Sequence, residues 1–182
     1  MFGRLFAKDP MKARARVLYD DVLNAARRPA LYGPNGAPDT VDGRFDLIVL
    51  HAILLLRRLR DGGEPGKRLA QLVFDIMFDD MDAALREMGT GDLSVGKRIK
   101  AMGEAFYGRA KAYEAALAAG DEAALAEAIA RNMFDADGGE AGAAQTAAFA
   151  RYALQSAQQL ADQAPESLIA AEAPRFARSL IG

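Results

Sequence analysis

Apolar residues recur along the chain at helical spacing, and Pro, Gly and Asp divide the pattern into six or seven segments. Asp9 followed by Pro10 predicts an N-cap with proline at the first helical position. This first helix runs to Arg27 or Arg28, Pro29 stops it, and Val17, Leu18, Val22, Ala25 and Ala26 form its buried stripe. Residues 30–43 are dense in Gly and Pro and predict a long loop, a class of connection that often carries function. A second helix over 44–60 is apolar almost all round, which predicts burial on most sides.

The third helix, 67–88, carries a stripe of Phe74, Phe78, Met81, Leu85 and Met88, and a second apolar row of Leu69, Val73, Ile76 and Ala84. Asp75, Asp79, Asp82 and Arg86 make its wet face, while Asp80 points into the second apolar row. Gly89 to Gly91 break the chain, and Ser94 is the expected cap of a fourth helix over 95–118. Val95, Ile99, Met102, Phe106, Tyr113 and Leu117 form one face of it. Gly103 and Gly108 interrupt that helix at a cost of about 1 kcal/mol each against Ala, and they point to close approach of a neighbouring backbone. Asp121 caps a fifth helix that ends near Phe134. A Gly- and Asp-rich break at 135–142 follows, then an alanine-rich helix over 143–164 and a short helix between Pro165 and Pro174. No β-period is present, so the expected fold is an all-α, single-domain helical bundle of six or seven helices.

Composition narrows the chemistry. A chain of 182 residues suits one domain, expected as an N-terminal tail (1–8), a helical domain (9–140) and an alanine-rich C-terminal extension packed on it (141–182). Of the 71 residues from 112 onward, 25 are Ala, which supplies little buried area per residue. There is no Cys and a single His, so thiolate sites, disulfides and most zinc or di-iron constellations are excluded. Net charge is −2, but residues 1–111 carry 19 basic and 15 acidic side chains, net +4, against 4 and 10, net −6, in the rest. The basic front half suits an anionic membrane surface or ribosomal RNA. The first eight residues lack the apolar core of a secretory signal, and the longest apolar window, 47–56, is too short to span a bilayer. The expected location is cytoplasmic, at most peripheral to the inner membrane.

No phosphate-binding loop, dinucleotide fingerprint, nucleophile elbow or zinc-protease motif is present. Asp79 and Asp82 face water away from Asp80, without calcium-loop spacing, so no metal is expected there. His51 lies on an apolar helix and is expected to be a satisfied core histidine. Asp80 needs a cationic partner, because an unpaired buried charge is costly, and His51 or Arg58 is the expected one. The second and third helices carry more apolar surface than one packing contact uses, and Met77, Met81 and Met88 can adapt to an irregular apolar partner. A binding surface on this hairpin is therefore expected. A lipid or quinone carrier would instead require a closed apolar cavity, and an enzyme would require His51 and an aspartate to converge in a cleft.

A succession of short stretches carries a resemblance. Gly43-Arg44-Phe45-Asp46-Leu47-Ile48-Val49-Leu50-His51 leads into Leu56-Arg57-Arg58-Leu59-Arg60. Phe78-Asp79-Asp80-Met81-Asp82 is followed by Leu85-Arg86-Glu87-Met88-Gly89, then by Gly91-Asp92-Leu93-Ser94-Val95-Gly96-Lys97-Arg98-Ile99-Lys100. Phe106-Tyr107-Gly108-Arg109 and Ala112-Tyr113 close the series. In order and spacing, residues 10–135 resemble the ubiquinol–cytochrome c chaperone family, assembly factors for cytochrome b of respiratory complex III. The resemblance implies an all-helical chaperone without catalytic residues, metal or cofactor. It also implies newly made cytochrome b as client, met on the cytoplasmic face of a bacterial inner membrane, with the ribosome, a small partner protein or self-association as further contacts. The residues expected to serve are Arg44, Phe45, His51 and Arg58 of the second helix, Phe78, Asp80 and Met81 of the third, and Lys97, Arg98 and Lys100 of the fourth. The apolar ones would touch the client, the cations lipid or RNA, and His51 with Asp80 would fix the helix pair.

Overall fold

The structure, a computed structural model, describes residues 9–134 and 139–180, without the side chains of residue 93 and of residues 139–141. The tail expected at 1–8 and residues 135–138 of the expected break lie outside the described residues. Seven α-helices are present among the described residues: α1 (Pro10–Ala26), α2 (Val41–Arg60), α3 (Gly63–Glu87), α4 (Asp92–Ala119), α5 (Glu122–Met133), α6 (Gly139–Ala161) and α7 (Pro165–Ala170). A single 3-10 turn, Pro29–Leu31, follows α1. The all-α bundle anticipated by the hydrophobic pattern is the fold observed. No helix among the described residues is long and apolar enough to cross a membrane.

The helix starts show what the pattern alone misses. α2 begins three residues early because Thr40 accepts the Gly43 amide on its hydroxyl at 3.1 Å, an N-cap hidden within the Gly/Pro-rich loop. Gly43 is required there, since a Cβ would collide with the Pro38 carbonyl oxygen. α3 begins at Gly63 rather than near Lys67, so the α2–α3 hairpin is tight, and a Cβ at Gly66 would strike the Leu59 carbonyl oxygen. α4 begins at Asp92 instead of being capped by Ser94. Asp121 caps α5 as expected, accepting the Ala124 amide at 3.0 Å. Neither Gly103 nor Gly108 admits a close backbone: a Cβ at Gly103 would meet only the Phe78 ring, and one at Gly108 would meet nothing.

α2 is the centre of the bundle, packed against α1, α3, α5, α6 and α7. Twelve of its residues are buried, which uses up the apolar surface that the sequence left over. The alanine-rich helix α6 also belongs to the core. Ala150 and Ala153 are fully buried and let α6 approach closely, while Phe149, Tyr152 and Leu160 fill the space between helices. His51 lies in this layer, wholly buried, with Nδ1 2.7 Å from the Leu47 carbonyl and Nε2 2.6 Å from the Tyr152 hydroxyl. The Phe176 ring covers it, with centroids 5.0 Å apart.

Phe176 belongs to an irregular C-terminal segment held by main-chain contacts. The Ala177 amide donates to Ser156 at 3.0 Å, and Arg28 donates to the Ala177 carbonyl at 2.6 Å. Arg58 donates to the Ala161 carbonyl at 3.1 Å and to the Gln163 carbonyl at 2.6 Å, so it caps the C-terminus of α6. Arg58→Ala is expected to cost about 2 kcal/mol, the usual loss for charge-assisted hydrogen bonds, read as an earlier urea midpoint. Hydrogen exchange should quicken first in the last turn of α6.

Candidate functional site

α4 leans on α3 and α5, and between it and the N-terminal turn of α2 it leaves an open groove of about 1400 Å³. The last turn of α3, the end of α5 with Phe134, and Gly142 and Gln145 of α6 complete the walls. The surface inside is mainly apolar, with Met88, Met102, Met133, Phe45 and Phe134 contributing thioether and aromatic faces. Met88 at the rim is 59% exposed and Val41 69%, although large apolar side chains elsewhere are mostly buried. Such exposure at one concave place is the mark of a binding surface.

A buried ion pair holds the groove together. Arg109 of α4 donates through Nη2 to Asp46 of α2 at 2.6 Å and to the Asn132 carbonyl at the end of α5 at 2.8 Å. Both side chains are largely buried, at 14% and 9% exposure. The guanidinium also lies 5.6 Å from the centroid of the half-buried Phe45 ring, a cation–π contact. Arg109 Nε is buried without an acceptor. Burial pushes the Asp46 carboxyl up to about 6, against the pull of Arg109, because desolvation of the anion outweighs the pairing.

His51 is shifted the other way. Burial pulls its imidazole down to about 4, so it is neutral in the folded protein at neutral pH. Two opposed pH effects follow. Between its ordinary value of 6.5 and about 4, the unfolded chain takes up a proton that folded His51 refuses, and stability falls as pH drops. Between about 6 and 3.8 the folded chain protonates Asp46 before the unfolded chain does, and stability rises as pH drops. The two contributions nearly cancel in the native protein. In Asp46→Asn only the His51 contribution remains, so this variant should lose about 3 kcal/mol more than the native protein between pH 7 and pH 4. Urea melts at the two pH values measure it, and parallel losses in both proteins would contradict it.

The structure divides the residues singled out by sequence. Phe45 and Arg98 line the groove. Lys97 and Lys100 are exposed on α4 beside it, Lys100 lying 3.8 Å from Glu104. Arg44 is exposed and paired with Asp39 at 2.7 Å. Four expectations are corrected. Asp80 does find a cation, but it is Arg16, at 2.8 Å, because α1 covers the row of α3 that Asp80 shares with Ile76. Among the described residues His51 contacts no aspartate, since it faces α6 instead of α3. Arg58 turns to main-chain carbonyls and is only 19% exposed. Met81 is 8% exposed and Phe78 half-buried against Phe74 and Phe106, so the middle of the α2–α3 hairpin is core, and Met81→Asp would test packing and not capture.

Among the groove residues, Arg109 carries a signal legible in the sequence. Met102, Phe106, Arg109 and Tyr113 fall on one face of α4, so Arg109 is a cation on an apolar stripe. A cation on an apolar stripe needs an anionic partner, as Asp80 needs a cationic one. Met133 and Phe134 had no signal beyond lying at a helix end.

Comparisons with known proteins agree on one family. The profile described as ubiquinol-cytochrome C chaperone matches residues 35–176, reaching well past residue 135 into the alanine-rich part. Ubiquinol-cytochrome c reductase complex assembly factor 1 of Mus musculus is 28% identical over 98 residues, 54% of this chain and 33% of that protein. Its Drosophila melanogaster counterpart is 25% identical over 133 residues, 70% of this chain and 51% of that protein. The chain thus spans between a third and half of the length of these curated relatives. The crystal structure of the Cbp3 homolog from Brucella abortus superposes with a TM-score of 0.80 at 35% identity, over 91% of this chain and 90% of that one. The chain belongs to the ubiquinol-cytochrome C chaperone family.

Proposed function

We propose that this protein is a chaperone for biogenesis of the ubiquinol–cytochrome c reductase, and that the groove between α2 and α4 shields an apolar segment of newly made cytochrome b. The observation that carries the reading is the thioether and aromatic lining of an open groove, exposed at Met88 and half-buried at Met102, Phe45 and Phe134, in a protein of this family. A membrane protein awaiting assembly presents apolar helices, and methionine adapts its three rotatable bonds to such irregular partners. Arg98 puts positive charge at one wall, and Lys97 and Lys100 are exposed on the same helix, charge that an anionic lipid surface near the client would meet. A lipid or quinone carrier, which needs a closed cavity, fits an open groove less well.

A deletion strain tests the role. Loss of the protein should remove most spectrally detectable cytochrome b and leave cytochromes of other complexes unchanged. Normal cytochrome b in the deletion strain would overturn the proposal.

A further inference from the structure

The apolar stripe of α3 outruns the helix that carries it. Phe74, Phe78, Met81 and Leu85 are buried or half-buried along α3, but Met88 falls on the C-cap, where the chain leaves the helix. Gly89 then turns the backbone at φ +79°, α4 does not begin until Asp92, and the Met88 side chain stays 59% exposed. Met102 of α4 and Met133 of α5 line the same groove, one half-buried and the other 8% exposed. Met77 and Met81 lie in the core, at 0% and 8%. Met11, half-buried on α1, lies outside the groove. Among the described residues Met88 is thus the one exposed methionine, and its thioether stands in the groove wall.

We infer that Met88 is a reversible oxidation site, and that its conversion to the sulfoxide by a hydroperoxide weakens client capture. The inference rests on the groove being the client site. A lone pair of the thioether sulfur attacks one peroxide oxygen, and the S–O bond forms as the O–O bond breaks. The proton on the transferred oxygen passes to the departing hydroxide, which leaves as water. Sulfur loses two electrons and the peroxide gains them. A flexible apolar group becomes a polar, chiral one. At Met88 the new oxygen stays hydrated in the free protein, so the fold is left intact. An apolar client would have to strip that water and offers no hydrogen bond in return, so the cost falls on the bound state. At Met77 or Met81 the same oxygen would be forced into the core, which is damage and not regulation.

The test uses the full chain, immobilised by a tag and treated with graded hydrogen peroxide. Cleavage after Arg and Lys places Met88 on the peptide 87–97 and Met102 on 101–109, while Met77 and Met81 share 69–86, so mass spectrometry reads oxidation site by site. Met88 should oxidise about tenfold faster than Met77 and Met81. At the dose that converts Met88, capture of radiolabelled cytochrome b from cell-free synthesis should fall about fivefold with helicity unchanged. Methionine sulfoxide reductases of both stereochemical classes should then restore capture. In Met88→Leu, whatever its untreated capture, the treated-to-untreated ratio at that dose should be about one. Five results would each overturn the inference and leave the client reading standing: faster oxidation of a core methionine, loss of helicity at that dose, capture unchanged by the Met88 sulfoxide, an equal loss in Met88→Leu, or a loss the reductases do not reverse. Failure of the untreated protein to capture cytochrome b overturns the client reading and the inference with it, whichever methionine oxidises first.

Discussion

Arg109→Leu should destabilise the protein by about 3–5 kcal/mol, a large fraction of the stability of an ordinary domain. The variant leaves the Asp46 carboxylate, 9% exposed, without the guanidinium 2.6 Å away. It also frees the Asn132 carbonyl, so α2, α4 and α5 lose their common tie. The cost is the penalty of an unpaired buried charge, not the worth of the pair. Two corollaries identify that cause. Because Asp46 already titrates near 6, the loss should be smaller at pH 5, where the carboxyl is protonated, than at pH 8. Removing both partners, in Asp46→Leu with Arg109→Leu, should recover much of the loss. Urea denaturation of the native protein and the two variants at the two pH values reads all of this. A single-variant loss below about 1 kcal/mol at pH 8 would show that the pair does not organise the groove.

Met102→Asp should weaken client capture by about thirtyfold, corresponding to about 2 kcal/mol, the scale of a central contact in a desolvated site. Met102 is half-buried in the wall of α4, about one turn after Arg98 and two before Arg109, where a carboxylate would face the client's apolar surface. Met88→Asp, at the exposed rim, should leave stability within about 0.5 kcal/mol and cost capture less. Copurification of cytochrome b with each tagged variant gives the comparison, with helicity and thermal melting as controls. Equal capture by folded Met102→Asp and native protein would remove this wall from the site.

Much of the fold was legible in the sequence because helix signals are local. Asp9 with Pro10, Asp121 and the glycines between helices state where segments begin and end, and the α4 face from Val95 to Leu117 is buried or half-buried as its spacing predicts. What was not legible is which helix covers which face. The apolar surface of α2 beyond one packing contact is covered in part by α6, whose alanine-rich sequence promises little buried area per residue. Alanine instead lets α6 come close, and Tyr152 and Phe149 do the filling. In the same way Asp80 announced that it needed a cation but not that α1 would supply Arg16. The candidate site was half-visible: Phe45 and Arg98 belong to it, while Phe78, Met81, His51 and Arg58 are structural. A groove arises where two helices fail to meet, and one-dimensional periodicity records contacts each helix can make, not those it leaves unmade.

The most direct test of the account is crosslinking in growing cells from photoreactive residues at positions 88 and 98, in the groove, and at 17, exposed on α1 outside it. The account predicts that newly made cytochrome b is captured from 88 and 98 and not from 17. Capture from 17 alone, or from none of the three in cells that contain the protein and assemble the complex, would contradict it.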